Sequence, residues 1–143
     1  TPEGKPVLAC FAQQPFTSEE VAMFAAKSLS PSASVVSDGL WCFRGVKVIG
    51  AEHEAIVTGG GKASAELPEF KAVNTVLSNL KTALSGTYHA FKFAKYAHRY
   101  LAEFQYRFNR RYDLAAIFPR LLRAAALTPA QPGRLLLAAE VRR

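Results

Sequence analysis

The sequence predicts an α/β domain that continues into helices. Three observations carry that reading. Short apolar runs alternate with stretches of helical period up to Leu84. Beyond residue 91 only helical patterns follow. Half of the 143 residues are hydrophobic and 20% are charged, which suits one packed domain and excludes a mostly disordered chain.

The elements follow in order. Residues 5–12, KPVLACFA, read as a short buried strand. Thr17-Ser18-Glu19-Glu20 opens a helix, with Thr17 placed to cap and Glu20 three residues on. Val21, Phe24, Ala25 and Leu29 keep the helical period, and Pro31 stops it. Residues 33–37, ASVVS, form a second strand that ends at Asp38-Gly39, and 40–45 a short helical stretch. Residues 52–57, EHEAIV, are a third strand, and TGGGKAS (58–64) a flexible loop. Residues 68–84 form a helix with Phe70, Val73, Leu77, Leu80 and Leu84 on one face, interrupted by Ser85-Gly86-Thr87. Residues 91–111 form a long helix, 113–127 another, and the tail a loose terminal helix.

Charge is unevenly placed. Residues 1–91 hold 7 Lys+Arg and 8 Asp+Glu, whereas residues 92–143 hold 11 and 3, a net of −1 against +8. A basic last third points to a polyanion, most often nucleic acid; a solvated face without a partner is the plainer alternative. No apolar run approaches the roughly 20 residues that span a bilayer. The opening TPEGKPVLAC lacks the basic and apolar regions of a secretory signal. Cys10 and Cys42 form no CxxC, and two thiols do not complete a zinc site. The expected setting is the cytoplasm, with no membrane partner.

Asp38, at the carboxyl end of a predicted strand, is where α/β sheets gather their sites, and its hard oxygens suit Mg²⁺. An ordinary Asp-Gly turn is the competing reading. Asn74 and Lys81, seven apart on one helix, face nearly the same way, about 10 Å apart along the axis. An amide oxygen and an ammonium there suit a metal–phosphate site; two exposed polar residues are the alternative. TGGGKAS is not a P-loop, because Ile56 stands where GxxxxGK needs its first glycine. His53 comes near Asp38 if residues 52–57 pair with 33–37. His89 and His98 show no metal spacing.

On the helix 91–111, Tyr96, Tyr100, Phe104 and Phe108 repeat every four residues, as core packing does. Lys95, Arg99, Glu103, Arg107 and Arg111 form the adjacent stripe, with Arg110 on a neighbouring face. Guanidiniums suit phosphate oxygens, and Glu103 is positioned to pair with Arg99 and Arg107 and orient them.

Three stretches together, VVSDGLWCF (35–43), VNTVLSNLKTALSGTYHAF (73–91) and KYAHRYLAEFQYRFNRRYDL (95–114), resemble the catalytic domain of ISXO-type bacterial insertion-sequence transposases, a branch of the DDE recombinases. The resemblance runs from about residue 5 to 125. It implies a ribonuclease-H-like fold using two divalent cations, Mg²⁺ or Mn²⁺, acting on insertion-sequence ends and target DNA. Asp38 falls at the second carboxylate, Asn74 at the third position in an Asn-bearing variant, and Lys81 at the lysine seven residues on. Glu103, Arg107 and Arg110 match a Glu-Arg-Arg signature. On this alignment the first two strands and first catalytic Asp are missing, so the expected chain is a truncated core, 1–91, with a basic helical extension, 92–143. Catalytic roles are thus expected of Asp38, Asn74 and Lys81, metal binding of Asp38 and Asn74, and DNA contacts of Lys95, Arg99, Arg107, Arg110 and Arg111. The alternative is a non-catalytic DNA-binding remnant or an interaction fragment. A second copy of the chain is a further candidate partner.

Overall fold

The computed structural model describes residues 5–12, 15–87 and 93–138. Its elements are α1 (Ser18–Ser28), β1 (Ser34–Ser37), a 3₁₀ stretch (Trp41–Ile49), β2 (Glu52–Ala55), α2 (Gly61–Ala65), α3 (Pro68–Thr87), α4 (Phe93–Phe108), a 3₁₀ turn (Leu114–Ala116), α5 (Ile117–Leu127) and α6 (Gly133–Ala138). The architecture is mixed α/β, mostly helical, with one small parallel sheet of two strands among the described residues. They fall into two compact units. Of these, the first takes residues 5–6, 12 and 15–79, and the second 7–11, 80–87 and 93–138.

In the first unit, Thr17 caps α1 as its sequence predicts: its side chain accepts the Glu20 N–H at 3.2 Å. β1 and β2 pair in parallel, Ser34 opposite Glu52 through Ser37 opposite Ala55. A parallel pair needs a crossover, and residues 38–51 supply it with the 3₁₀ stretch. That stretch packs on α1 through Gly45, where a Cβ would meet the Ser18 carbonyl and the Ala22 amide. Ala25, Cys42, Val46, Ala51 and Val76 are buried here, with Ser37 beside them.

In the second unit the buried line is Leu80 of α3 and Ala97, Leu101 and Phe104 of α4. The α4 residues are spaced i, i+4, i+7, one helical face. Of the predicted aromatic stripe, Phe104 is buried, while Tyr96, Tyr100 and Phe108 lie half-buried at its margin. Phe104 stacks on Phe108 and meets Phe11 edge-on. The Tyr96 hydroxyl and an Arg99 N–H donate to the carbonyls of Leu137 and Leu136, in the last turn of α6 where helix carbonyls lack helical partners.

Several sequence expectations are corrected. Residues 5–12 are neither a regular strand nor buried: Val7 is 54% and Leu8 69% exposed. A strand needs a neighbouring backbone, and this segment is held by side chains instead. Asn109 accepts the Ala9 N–H at 2.7 Å and donates to the Ala9 carbonyl at 2.9 Å. Gln105 accepts the Phe11 N–H at 2.8 Å. The expected interruption at Ser85-Gly86-Thr87 is absent, since α3 runs to Thr87. A glycine inside a helix costs only about 1 kcal/mol, which a 20-residue helix tolerates. On α3, Leu80 of the predicted stripe is buried and Phe70 and Leu84 are half-buried, but Val73 and Leu77 are exposed and Val76, outside the stripe, is buried. The loop 58–64 ends in α2, and β2 stops at Ala55. His89 and residues 91–92 lie outside the described residues.

Candidate functional site

Asp38 stands directly after β1, which brings it to the carboxyl end of the parallel sheet. Its side chain is exposed, and Oδ1 accepts the Leu40 N–H at 3.1 Å. This turn depends on Gly39, whose φ of 83° lies in the left-handed region. Oδ2 has no hydrogen bond among the described residues and remains a free hard donor. The strand pairing sets His53 opposite Val35, and His53 Nε2 lies 2.9 Å from Oγ of Ser37, the residue before Asp38. That Oγ also accepts the Gly39 N–H at 3.3 Å. His53 therefore braces the turn that carries Asp38.

Asn74 on α3 is half-buried, and its Nδ2 donates to the Ala65 carbonyl at 3.3 Å. This anchor orients the amide and leaves its Oδ1 without a hydrogen bond among the described residues. Lys81 is on the same helix, seven residues on and exposed. Asp38 and Asn74 belong to the first unit, whereas Lys81 falls in the second. Among the described residues no group of three His, Cys, Asp or Glu side chains gathers as a metal site.

The basic row of α4 is heavily engaged within its own unit. Glu103 pairs with Arg107 through Nε and again through Nη2, the latter at 3.2 Å. Both side chains are about half exposed, so the pair contributes only about 0.3–0.5 kcal/mol. Arg111 donates to the Phe108 carbonyl at 2.7 Å and the Val7 carbonyl at 3.3 Å, and lies over the rings of Phe108 and Tyr112. Arg99 approaches Tyr96 and donates to Leu136. The Lys95 ammonium is 5.2 Å from the Tyr96 ring centre. Arg110 lies over Tyr106, 3.9 Å from the ring centre, and donates once, to the Tyr106 carbonyl.

Arg110 also lines a polar cleft that sequence reasoning missed, together with Asp113 and Arg120. Arg120 sits on α5 outside the repeat of α4, and no linear spacing signals its approach to Arg110. The i, i+4 amides Gln105 and Asn109, at and just past the end of α4, were a visible pair, but such polar pairs are common and nothing in the sequence marks these as clamping another segment.

The fold and these residues define a mixed α/β domain with an aspartate at a parallel strand end, continuing into a basic helical region. The model of the ISXO2-like transposase domain, of the DDE transposases, matches residues 6–109. The chain belongs to that family. The match takes in Asp38, Asn74, Lys81 and α4, and ends before Arg110, Asp113 and Arg120. Neither the curated proteins nor the solved structures contain a match. No helix among the described residues is long and apolar enough to cross a membrane.

Proposed function

We propose that this chain is part of a ribonuclease-H-like transposase core that holds insertion-sequence DNA through its basic C-terminal region. The carrying observation is the family match over residues 6–109, which joins the strand-end Asp38 to the basic helix α4 in one unbroken stretch. Supporting it, the +8 charge of residues 92–143 supplies a field for phosphates.

The residues present fit one hard divalent cation and not two. Asp38 offers a free carboxylate oxygen and Asn74 an oriented amide oxygen, and Mg²⁺ is commonly held by one or two protein oxygens with water and phosphate completing the shell. When bound, Mg²⁺ or Mn²⁺ supplies Lewis-acid polarisation of a phosphodiester. Asp38 would hold the cation through its carboxylate, and the Asn74 amide oxygen would be a neutral second ligand. Lys81 would place an ammonium against a phosphate oxygen. One carboxylate and one neutral amide carry too little negative charge for a pair of divalent ions. We therefore expect the chain by itself to bind DNA without cutting it.

The test incubates the purified chain with its element's terminal DNA and Mg²⁺ or Mn²⁺. A retarded complex with intact strands is expected. Metal-dependent nicking that vanishes in Asp38→Ala would overturn the binding-only reading and establish Asp38 as a metal ligand in this chain.

A further inference from the structure

A cleft of about 430 Å³ opens within the second unit. Arg110, Arg120, Asp113 and Gln105 supply its polar lining, and Leu8 and Ala116 an apolar wall.

The donors in this cleft are held and unspent. Arg110 lies over the Tyr106 ring and gives one N–H to the Tyr106 carbonyl, which leaves the rest of its fork available. Arg120 is exposed and has no partner among the described residues. Neither has a carboxylate partner among the described residues. Gln105 spends its oxygen on the Phe11 N–H and keeps its NH₂ as a donor. Asn109, also on the lining, is used at both ends by Ala9.

One acceptor sits among these donors. Asp113 caps the turn Leu114–Ala116, with Oδ1 taking the Ala116 N–H at 3.3 Å. Two guanidiniums against one carboxylate leave the cleft net positive with a single negative point. That pattern fits an anion with a hydrogen-bond donor attached close by. A nucleotide has this chemistry: phosphate oxygens for Arg110 and Arg120, and a base N–H for Asp113. The apolar wall suits the sugar or base.

We propose that this cleft holds one nucleotide of a bound DNA strand, with its phosphate between Arg110 and Arg120 and its base against Asp113. The proposal rests on the DNA-binding reading and relocates its strongest contact. Arg107 of α4 and Arg111, just beyond its end, already spend donors inside the unit, on Glu103 and on main-chain carbonyls. The cleft keeps its donors for a ligand.

Arg120→Ala is the clean variant, because this side chain is exposed and makes no hydrogen bond or ion pair among the described residues. Binding of a labelled single strand is measured across a salt series. Loss of one charged hydrogen-bonding contact should weaken binding about tenfold and flatten the slope of log K against log salt by about 0.9. Arg123→Ala, one turn on and outside the cleft, should stay within about twofold of the parent on the same scale. Deoxyadenosine monophosphate should compete for the parent and not for the residual binding of Arg120→Ala; inorganic phosphate should compete less well than the nucleotide. Asp113→Asn keeps the cap and should weaken binding. Equal effects of Arg120→Ala and Arg123→Ala would overturn the cleft while leaving DNA binding intact. Tighter binding by Asp113→Asn would overturn the nucleotide assignment, since Asp113 would then only repel phosphate. A parent chain that binds no strand at all would remove both the proposal and the reading beneath it.

Discussion

Asn109→Ala tests how the segment Val7–Phe11 is kept in place. The native amide makes two hydrogen bonds to one residue, 2.7 Å from the Ala9 nitrogen and 2.9 Å to its oxygen. Each contributes about 0.5–1.5 kcal/mol net. Ala9 is half-buried, so water only partly replaces what is lost. The expected destabilisation is about 2 kcal/mol, the middle of that range for two bonds. At this chain length it corresponds to a fall in Tm of about 4–10 °C. Gln105→Ala removes a single bond, to Phe11, and should cost about half as much. Urea titration gives the stability change through the midpoint at constant m. Amide exchange reports the site: in Asn109→Ala the Ala9 amide should exchange faster than the Phe11 amide, which still has Gln105. A change below about 0.5 kcal/mol, with Ala9 exchange as in the parent, would refute the claim that side-chain amides hold this segment.

Two further outcomes follow from the same geometry. Gly45→Ala should destabilise by about 1–3 kcal/mol, because the new Cβ would be driven into the Ser18 carbonyl across from it; thermal unfolding reads this, and a Tm equal to the parent's would contradict the close packing of the 3₁₀ stretch on α1. Glu103→Gln, measured by DNA binding over a salt series, should weaken binding if Glu103 fixes Arg107 for phosphate, despite the gain of one positive charge; tighter and salt-steeper binding would reject the orienting role.

What was legible in the sequence was local. Thr17 and Glu20 announced the start of α1, and the structure forms that cap. The β-rich runs at 33–37 and 52–57 contain the two strands, and their parallel register carries His53 to Ser37, beside Asp38. Asp38 at a strand end was visible because an Asp-Gly step follows an apolar run. What failed depended on partners distant in sequence. Residues 5–12 have strand composition, but a ladder requires a second backbone, and Gln105 and Asn109 stand in its place nearly a hundred residues away. On α3 the stripe held at Leu80 but not at Val73 and Leu77, because periodicity defines a face only to within a residue or so, while burial depends on what packs against it. Arg120 was illegible for the same reason: its role beside Arg110 arises from the turn between α4 and α5, not from spacing on either helix.

The central claim is that the basic C-terminal region holds DNA by its phosphates. The affinity of the whole chain for its element's terminal DNA, measured against salt concentration, addresses it most directly. With three to five phosphate contacts, log K should fall against log salt with a slope of about −3 to −4.5. An affinity that does not change with salt, or no binding at low salt, would contradict the account.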